Sequence, residues 1–257
     1  MEYIQFDIKG KVGHITLNRP DVLNSFCIPM GHEMRKALEQ CRDDDQVRAI
    51  YITGAGRAFC AGQELQEAID PEGPGIGTIV DETYNPIVTL IREILKPVIC
   101  GVNGVAAGAG ANIALACDVT FAIESAKFVQ AFSSIGLVPD SGGTHTLPRL
   151  IGYQRAAALM YSGDKLSSKE AADMGMIYKC VADGGLDEAI EFAEKLAERP
   201  TKGIGLTKQL LNQSPVNTIF EQLSLERDLQ IIAFETEDCK EGVNAFLEKR
   251  KPNYTGK

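Results

Sequence analysis

The sequence contains no tryptophan, no Cys-x-x-Cys pair and only three histidines among its 257 residues. His14, His32 and His145 lie at no spacing typical of zinc ligands, so we expect no bound metal. The seven cysteines are scattered and odd in number. This pattern favours reduced, mostly buried thiols over a disulfide framework.

Long apolar runs are also missing, because glycine, asparagine or aspartate interrupts each one before the roughly 20 residues that a spanning helix needs. The N-terminus lacks a basic region followed by an apolar run and a small-residue cleavage site. We therefore expect no membrane association, no export and a cytoplasmic location. The net charge of −9 lacks the basic excess of a phosphate-tracking protein, so no nucleic-acid partner is expected.

Several common catalytic motifs are absent. There is no GxxxxGK[ST], GxSxG or HExxH, which disfavours nucleotide hydrolysis, serine esterase and zinc peptidase activities. Gly108 and Gly110 are followed by Ala111, Asn112 and Ile113, so the third glycine of a dinucleotide-binding GxGxxG is missing.

The composition is that of an ordinary globular protein, with 44% hydrophobic and 24% charged residues. Strand-like and helix-like segments alternate in the first half, which predicts an α/β fold with sheets covered by helices. The predicted strands are 12–17, 47–53 and 97–102, and the predicted helices are 30–41 and 84–95.

The chain becomes mainly helical after residue 166. Ser167 and Glu170 have capping-box spacing, and the helix that they begin should end at Gly175. A short strand is predicted at 176–181. Further helices are predicted at 186–199, 201–213, 216–235 and 238–248. Their apolar faces must be buried on the core, on another subunit, or on both.

Residues 70–78 are rich in proline and glycine and are predicted to form a loop. Their position after the segment 60–65 makes this loop a candidate lid or specificity loop. An ordinary solvated connection is the alternative.

Two glycine-rich junctions, residues 54–62 and 103–111, each follow an apolar strand. Small residues at such places let a ligand approach backbone amides. A helix that begins near Gly108 would leave its first N–H groups unpaired and would favour negative charge. For either junction alone, a tight turn without a ligand is the alternative.

Four ordered motifs resemble the crotonase (enoyl-CoA hydratase/isomerase) superfamily, and the resemblance covers nearly the whole chain. They are LNRP at 17–20, AFCAGQEL at 58–65, the segment 96–118 that runs from KPVICGVNG to CD, and the segment 139–149 that runs from PDSGGT to LPR. The closing FLEKRKP at 246–252 is also typical of this superfamily.

The resemblance implies a crotonase (ClpP-like) α/β spiral of ββα units over residues 1–198, followed by a helical C-terminal trimerisation region at 199–257. It implies a homotrimer or a hexamer built as a dimer of trimers. The implied substrate is an acyl-CoA thioester, and no separate cofactor is expected because coenzyme A is part of that substrate.

The resemblance also assigns the site, with the backbone N–H groups of Ala61 and Ala109 as the two donors to the thioester oxygen. Losing one preorganised donor of this kind typically costs about 2.7 to 4 kcal/mol of transition-state stabilisation. The other implied substrate contacts are Cys60, Gly62, Gln63, Leu65, Gly108, Gly110, Asn112, Phe132, Leu137 and His145. The implied CoA contacts are Arg19, Leu23 and Ala58. Lys96 is a further candidate for the CoA phosphates, with surface ion pairing as the alternative for Arg19 and Lys96.

Water addition in this superfamily uses two glutamates, and the corresponding positions here hold Asn112 and Phe132. Neither can act as a carboxylate acid or base. Asp140 lies where relatives that shift double bonds or open ring epoxides have their acid/base. Local sequence alone also allows Asp140 to be a helix cap.

The segments 59–63, 106–112, 130–132 and 136–140 resemble the 2-(1,2-epoxy-1,2-dihydrophenyl)acetyl-CoA isomerases of phenylacetate degradation. Those enzymes commonly have tryptophan where this chain has His145, which we expect to be a packing or surface residue rather than a proton carrier.

We therefore predict an isomerase in which Asp140 shuttles a proton beside a thioester enolate. Its reaction would be ring-1,2-epoxyphenylacetyl-CoA to oxepin-CoA, or 3-enoyl-CoA to 2-enoyl-CoA, or both. A 2-enoyl-CoA hydratase of fatty-acid β-oxidation is the alternative, and it would need another carboxylate such as Glu64. From a different class, an RNA-binding crotonase homologue is a further alternative.

Overall fold

The computed structural model describes all residues from Met1 to Lys257. The strands are β1 (Ile4–Lys9), β2 (Val12–Leu17), β3 (Ala49–Gly54), β4 (Ala58–Cys60), β5 (Val98–Val102), β6 (Val105–Ala107), β7 (Val119–Ile123), β8 (Lys127–Val129), β9 (Lys165–Ser167) and β10 (Lys179–Val181). The helices are α1 (Ile28–Asp43), α2 (Leu65–Ile69), α3 (Ile76–Ile79), α4 (Asn85–Glu93), α5 (Ala109–Ala116), α6 (Gly143–Ile151), α7 (Tyr153–Ser162), α8 (Ser168–Asp173), α9 (Asp187–Ala197), α10 (Thr201–Gln213), α11 (Ile219–Phe234) and α12 (Glu237–Leu247).

The strands form two sheets. The larger has the order β1-β2-β3-β5-β7-β10, in which β1 and β2 are antiparallel and all other neighbours are parallel. The smaller has the order β4-β6-β8-β9, in which only β8 and β9 are antiparallel. The pairs β3 and β4, β5 and β6, and β7 and β8 each place one strand in either sheet before a helix. This repeat confirms the predicted α/β spiral of ββα units.

Strand β3 shows why the buried strands of the large sheet have continuous apolar sequences. Ile50 and Ile52 face the main core, whereas Ala49 and Tyr51 face a smaller apolar cluster covered by α9. Successive side chains of a strand point to opposite faces, so a strand covered on both faces needs apolar residues at every position. All seven cysteine thiols are free and five are buried, as predicted.

Most predicted elements are confirmed, and β2 and α10 have the predicted bounds. The capping box of Ser167 and Glu170 is present, and Gly175 follows the end of α8 with a φ of 80°. The predicted loop at 70–78 is too long, because α3 already begins at Ile76. The strands β1, β4, β6, β7, β8 and β9 were not predicted. Four of them, β4, β6, β8 and β9, have three residues, which are too few to reveal a period of two.

Helix α10 is fastened to the core by a buried charge. The ammonium group of Lys208 pairs with the Asp118 carboxylate at 2.7 Å and donates to the carbonyls of Ile91 and Lys96. Asp118 also accepts the N–H of Val98 at the start of β5. Helix α10 therefore packs as part of the core, although it lies beyond the predicted boundary after residue 198.

The end of the chain returns to the core. Arg48 donates to the Thr201 hydroxyl and to the carbonyl of Tyr254, both at 2.8 Å. The Asp238 carboxylate accepts the N–H groups of Thr255 and Gly256. These bonds hold α12 in place, while many apolar side chains of α11 and α12 remain exposed. No helix of the chain combines the length and the apolar character needed to cross a bilayer.

Buried His14 on β2 should make the stability of the fold depend on pH. Its ring is buried, its Nε2 atom has no hydrogen-bond partner, and burial lowers its pKa. The folded protein therefore binds a proton more weakly than the unfolded chain, whose histidine pKa is about 6.5. The free energy of unfolding should thus decrease as the pH falls below about 6.5.

We expect His14→Phe to reduce this loss, because the ring contact with Tyr51 can remain while the titrating group is gone. The measurement is the melting temperature between pH 7.5 and pH 5. The control is His32→Phe at an exposed site, which should keep the dependence of the wild type. An undiminished loss in His14→Phe would show that His14 does not cause it.

Candidate active site

The two glycine-rich junctions meet in the structure. A Cβ atom placed on Gly62 would lie 3.8 Å from the Ala109 nitrogen and 3.1 Å from the Ala107 carbonyl oxygen. A Cβ atom on Gly110 would lie 2.6 Å from the Cys60 carbonyl oxygen. Glycine at both positions lets the two backbones touch, which brings the predicted site segments together.

Ala109 offers an unpaired donor at the start of α5. The N–H of Gly108 donates to the Val129 carbonyl, and the N–H of Asn112 donates to the Gly108 carbonyl. The N–H of Ala109 has no acceptor in the structure, because it precedes the first intrahelical bond. Since Ala109 is only 3% exposed, water has little access to its N–H group. This donor at a helix N-terminus therefore favours a negatively charged oxygen.

The assignment of the other donor to Ala61 is wrong, because the N–H of Ala61 already donates to the Leu23 carbonyl at 3.0 Å. Gln63 is the residue with a free N–H. It pairs with Phe26 as two parallel extended segments, in which the Gly62 carbonyl and the Glu64 N–H make the bonds at 2.7 and 2.8 Å. The N–H of Gln63 therefore points away from Phe26, and it has no acceptor.

The Cys60 thiol lies beneath this junction as a neutral group. Its sulfur accepts the N–H of Gly62 at 3.4 Å, and burial raises the pKa of Cys60 to about 12. A thiol that keeps its proton at neutral pH is not a nucleophile. Cys60 thus supports the backbone of the predicted site and packs against Gly110.

Asp140 has a half-buried carboxyl group whose pKa is raised by burial. The Ser141 hydroxyl donates to it at 2.9 Å, and no cation pairs with it. The helix-capping alternative is wrong, because α6 begins at Gly143 and no side chain caps it. Ser141 has a φ of 51°, a conformation that is uncommon without glycine and that clusters at functional sites.

Two buried amides connect α5 to the turn that carries Asp140. Asn112 donates from Nδ2 to the backbone carbonyl of Asp140 at 2.9 Å, and Gln130 donates to the Asn112 Oδ1 atom at 2.8 Å. A Cβ atom on Gly143 would collide with the Asn112 amide. The hydrogen bonds of Asn112 therefore connect helix α5, which carries the Ala109 N–H, to the turn that carries Asp140.

An aromatic wall lies beside the second donor. The buried ring of Phe132 comes within 3.7 Å of the place where a Cβ atom on Gly108 would lie. Beyond it, Leu137 and Val138 line an apolar cleft of about 310 Å³ together with Tyr153 of α7. Apolar surface of this kind suits an acyl chain or ring.

The remaining predicted substrate contacts lie at the periphery. Leu65 at the start of α2 is half exposed. His145 is exposed on α6, and no hydrogen bond joins its ring to Asp140. Burial, Arg149 and Arg92 lower the pKa of His145, so it is neutral at neutral pH. This position agrees with the expected surface role.

The predicted CoA contacts lie near the segment 58–64, which carries the free N–H of Gln63. The Leu23 carbonyl accepts the N–H of Ala61. The neighbouring Asn24 side chain donates to the carbonyl of Ala58. Arg19 pairs with Glu64 at 2.7 Å, and its guanidinium carbon lies 5.3 Å from the centre of the Tyr3 ring.

Lys96 does not lie free for a phosphate. Its ammonium group donates to the carbonyls of Cys41, Arg42 and Asp44 at the end of α1. Lysine at a helix C-terminus satisfies carbonyls that have no intrahelical donor. The suggested contact of Lys96 with CoA is therefore wrong.

The geometry defines a class of site: two main-chain N–H groups without acceptors lie on backbone segments that touch each other, and helix α5, which carries one of them, is hydrogen-bonded to the turn that carries an unpaired carboxylate. Residues 7–257 match the family model described as "Enoyl-CoA hydratase/isomerase". The chain belongs to this enzyme family, which is the crotonase superfamily. Its activity is thus of the enoyl-CoA isomerase or hydratase kind.

Two relatives illustrate the similarity. The chain is 49% identical over the full length of both proteins to the "1,2-epoxyphenylacetyl-CoA isomerase" of Escherichia coli (strain K12). It is 42% identical to the "Probable enoyl-CoA hydratase" of Rhodobacter capsulatus, over 99% of this chain and 98% of that protein. Among solved structures, an enoyl-CoA hydratase from Bacillus anthracis has a TM-score of 0.95 at 33% identity, over 99% of this chain and 100% of that one.

The contact between the junctions can be tested with Gly110→Ala. The added methyl group would meet backbone and side-chain atoms of Cys60, so the segments must separate. We expect a loss of about 1 to 3 kcal/mol in the free energy of unfolding, as for other overpacked cores, and a loss of activity on acyl-CoA. Urea unfolding measures the first effect.

The matched control is Gly77→Ala in α3, where no atom lies within 4 Å of the added methyl group. This variant should be as stable as the wild type or slightly more stable. Equal stability and activity of Gly110→Ala and the wild type would contradict the close approach of the two backbones.

Proposed function

We propose that the protein is an acyl-CoA isomerase that needs no separate cofactor. The N–H groups of Gln63 and Ala109 hold the thioester oxygen, and Asp140 moves a proton between two carbon atoms of the acyl group. The substrate is ring-1,2-epoxyphenylacetyl-CoA, which becomes oxepin-CoA, or a 3-enoyl-CoA, which becomes a 2-enoyl-CoA. The observation that supports this proposal is the pair of unpaired main-chain N–H groups on two touching segments, one of which is hydrogen-bonded through Asn112 to the turn that carries the unpaired Asp140 carboxylate.

Enolate formation accounts for the donors. Removing a proton next to the thioester carbonyl places negative charge on its oxygen. Preorganised N–H groups stabilise that charge more strongly in a site shielded from water than in solution. Both donors belong to the backbone, so neither Gln63 nor Ala109 needs a polar side chain for this task.

A single carboxylate is sufficient for isomerisation. Ionised Asp140 takes a proton from one carbon, and the protonated acid returns it to another, so water and redox partners are not consumed. Burial raises the pKa of Asp140, which makes its carboxylate a stronger base than an exposed one. A base tuned toward the working pH is more effective in proton transfer.

Hydration is less well supported because a second carboxylate is lacking. The Asn112 amide is already hydrogen-bonded to Gln130 and to the Asp140 carbonyl, and Phe132 has no acidic group. Glu64, the other candidate, is paired with Arg19. The net charge of −9 also disfavours the alternative of an RNA-binding homologue.

The test compares wild type with Asp140→Asn on three substrates: crotonyl-CoA, trans-3-hexenoyl-CoA and the enzymatically prepared ring epoxide. We expect isomerisation of one or both of the last two and little hydration of the first. Asp140→Asn should reduce isomerisation by about 10² to 10⁴-fold, the usual contribution of a general acid–base group. Asp45→Asn, an exposed aspartate after α1, is the control.

The pH profile supplies a second readout. Activity requires ionised Asp140, so kcat/KM should fall as the pH decreases through the pKa of this group. That pKa should lie above the ordinary value of about 3.9 because of burial. Rapid hydration of crotonyl-CoA together with full activity of Asp140→Asn would rule the proposal out.

We also propose that the protein is a homotrimer or a hexamer. Phe220, Leu223 and Phe234 of α11 and Phe246 of α12 are each more than half exposed in the single chain. Several large exposed apolar side chains on two neighbouring helices are typical of an interface. Association of the C-terminal helices would cover it.

Light scattering after size exclusion should therefore give three or six times the 27.8 kDa of the chain. Phe220→Asp should shift the mass toward one chain, because it places a charge in the covered surface. Ile8→Asp on the edge strand β1 should leave the mass unchanged. A monomeric wild type would contradict the proposed assembly.

A further inference from the structure

The side chain of Gln63 is held at its amide oxygen by a buried phenol. Tyr84 is fully buried, and its hydroxyl donates to the Gln63 Oε1 atom at 2.5 Å. Tyr84 ends a π-helical turn, Val80–Tyr84, which leads into α4. Such turns are rare and occur frequently at functional sites. The edge-on contact of its ring with Phe26, 5.7 Å between centroids, fixes the phenol in place.

The amide nitrogen of Gln63 is held from the opposite side. It donates to the Glu67 carboxylate at 2.8 Å. Glu67 in turn accepts the N–H of Ile28, the first residue of α1, at 3.1 and 3.2 Å. The carboxylate therefore lies at the N-terminus of a long helix, where negative charge is stabilised.

These contacts converge on the residue whose main-chain N–H is free. Phe26 holds the backbone on either side of Gln63, and Tyr84 and Glu67 hold its side chain. Oxyanion stabilisation depends on donors that are already aimed at the developing charge, so small rotations of the peptide reduce it. We infer that Tyr84 and Glu67 are positioning residues that fix the direction of the Gln63 N–H through the Gln63 side chain.

The protonation state of Tyr84 agrees with this role. Burial raises the pKa of Tyr84 above its usual value, and the nearby Cys60, Asp140 and Glu67 act in the same direction. The phenol thus keeps its proton throughout the neutral range and remains a donor to Gln63. The Gln63 amide must then direct its nitrogen at Glu67, which is the arrangement observed.

The inference rests on the proposed oxyanion hole, so its experiment measures the hole directly. The probe is hexanoyl-CoA with ¹³C at the thioester carbonyl, which lacks a double bond to shift. Isotope-edited infrared difference spectra report the C=O stretch of the bound ligand. In the wild type, the two donors should polarise the carbonyl and move the stretch to a lower frequency than in water.

Tyr84→Phe removes only the O–H and keeps the ring contact with Phe26. We expect a smaller frequency shift and a kcat for isomerisation reduced about ten-fold, less than the 10² to 10³-fold that a whole lost donor costs. KM should change less than two-fold. Gln63→Leu keeps the main-chain N–H but loses both side-chain contacts, so it should behave similarly, and adding Tyr84→Phe to it should change nothing further.

Tyr51→Phe is the matched control, because it removes the O–H of another buried tyrosine, one that lies in the smaller apolar cluster. It should leave the carbonyl frequency as in the wild type. Glu67→Ala tests the other end of the cluster independently of Tyr84 and should also reduce the shift. Glu67→Gln, which can still accept a hydrogen bond, should restore part of it.

The outcomes distinguish the oxyanion hole itself from the positioning role of Tyr84 and Glu67. A wild-type protein that binds hexanoyl-CoA without any shift of the stretch would refute the oxyanion hole and with it the proposed function. A shifted wild type with an equal shift and equal kcat in Tyr84→Phe and Glu67→Ala would refute the positioning role alone. If Tyr84→Phe fails to fold, Glu67→Ala and Gln63→Leu decide the question.

Discussion

The site depends on the contact between two backbone segments that are distant in sequence. Gly62 and Gly110 have no side chain to keep the segments apart, so the start of α5 lies against the extended strand that carries Gln63. The ββα spiral makes this contact possible, because β4 and β6 are neighbours in the small sheet and each leads directly into one of the segments. The N–H groups of Gln63 and Ala109, one on each segment, are left without a partner.

The unpaired N–H of Ala109 agrees with the predicted helix start near Gly108, whereas the other unpaired N–H belongs to Gln63 and not to Ala61, for a physical reason. Ala109 follows from local rules, since the first N–H groups of any helix are unpaired. The donor in the other segment depends on which residues its extended backbone pairs with. A regular strand would point the N–H groups of Ala61 and Gln63 to the same side, but Gly62 between them has a φ of 96° and breaks that alternation. The Leu23 carbonyl therefore accepts the Ala61 N–H, whereas Gln63, opposite Phe26, keeps its N–H free.

The fold was more accessible to sequence reasoning than the contacts of single side chains. Apolar periodicity located α1, α4 and the C-terminal helices together with the strands β2, β3 and β5, and the ordered motifs indicated the spiral. Nothing in the local sequence indicated that Lys96 would cap α1 or that Asn112 would connect α5 to the Asp140 turn. These roles follow from the packing of elements that are far apart in the chain.

The proposed function requires that Gln63 and Ala109 together bind the thioester oxygen while Asp140 faces the acyl carbons. A crystal structure with an unreactive acyl-CoA bound tests it most directly. We expect the thioester oxygen at about 2.7 to 3.1 Å from the nitrogens of Gln63 and Ala109, with the Asp140 carboxylate against the carbon next to the carbonyl. A thioester oxygen bound elsewhere, or an Asp140 carboxylate turned away from the acyl group, would contradict it.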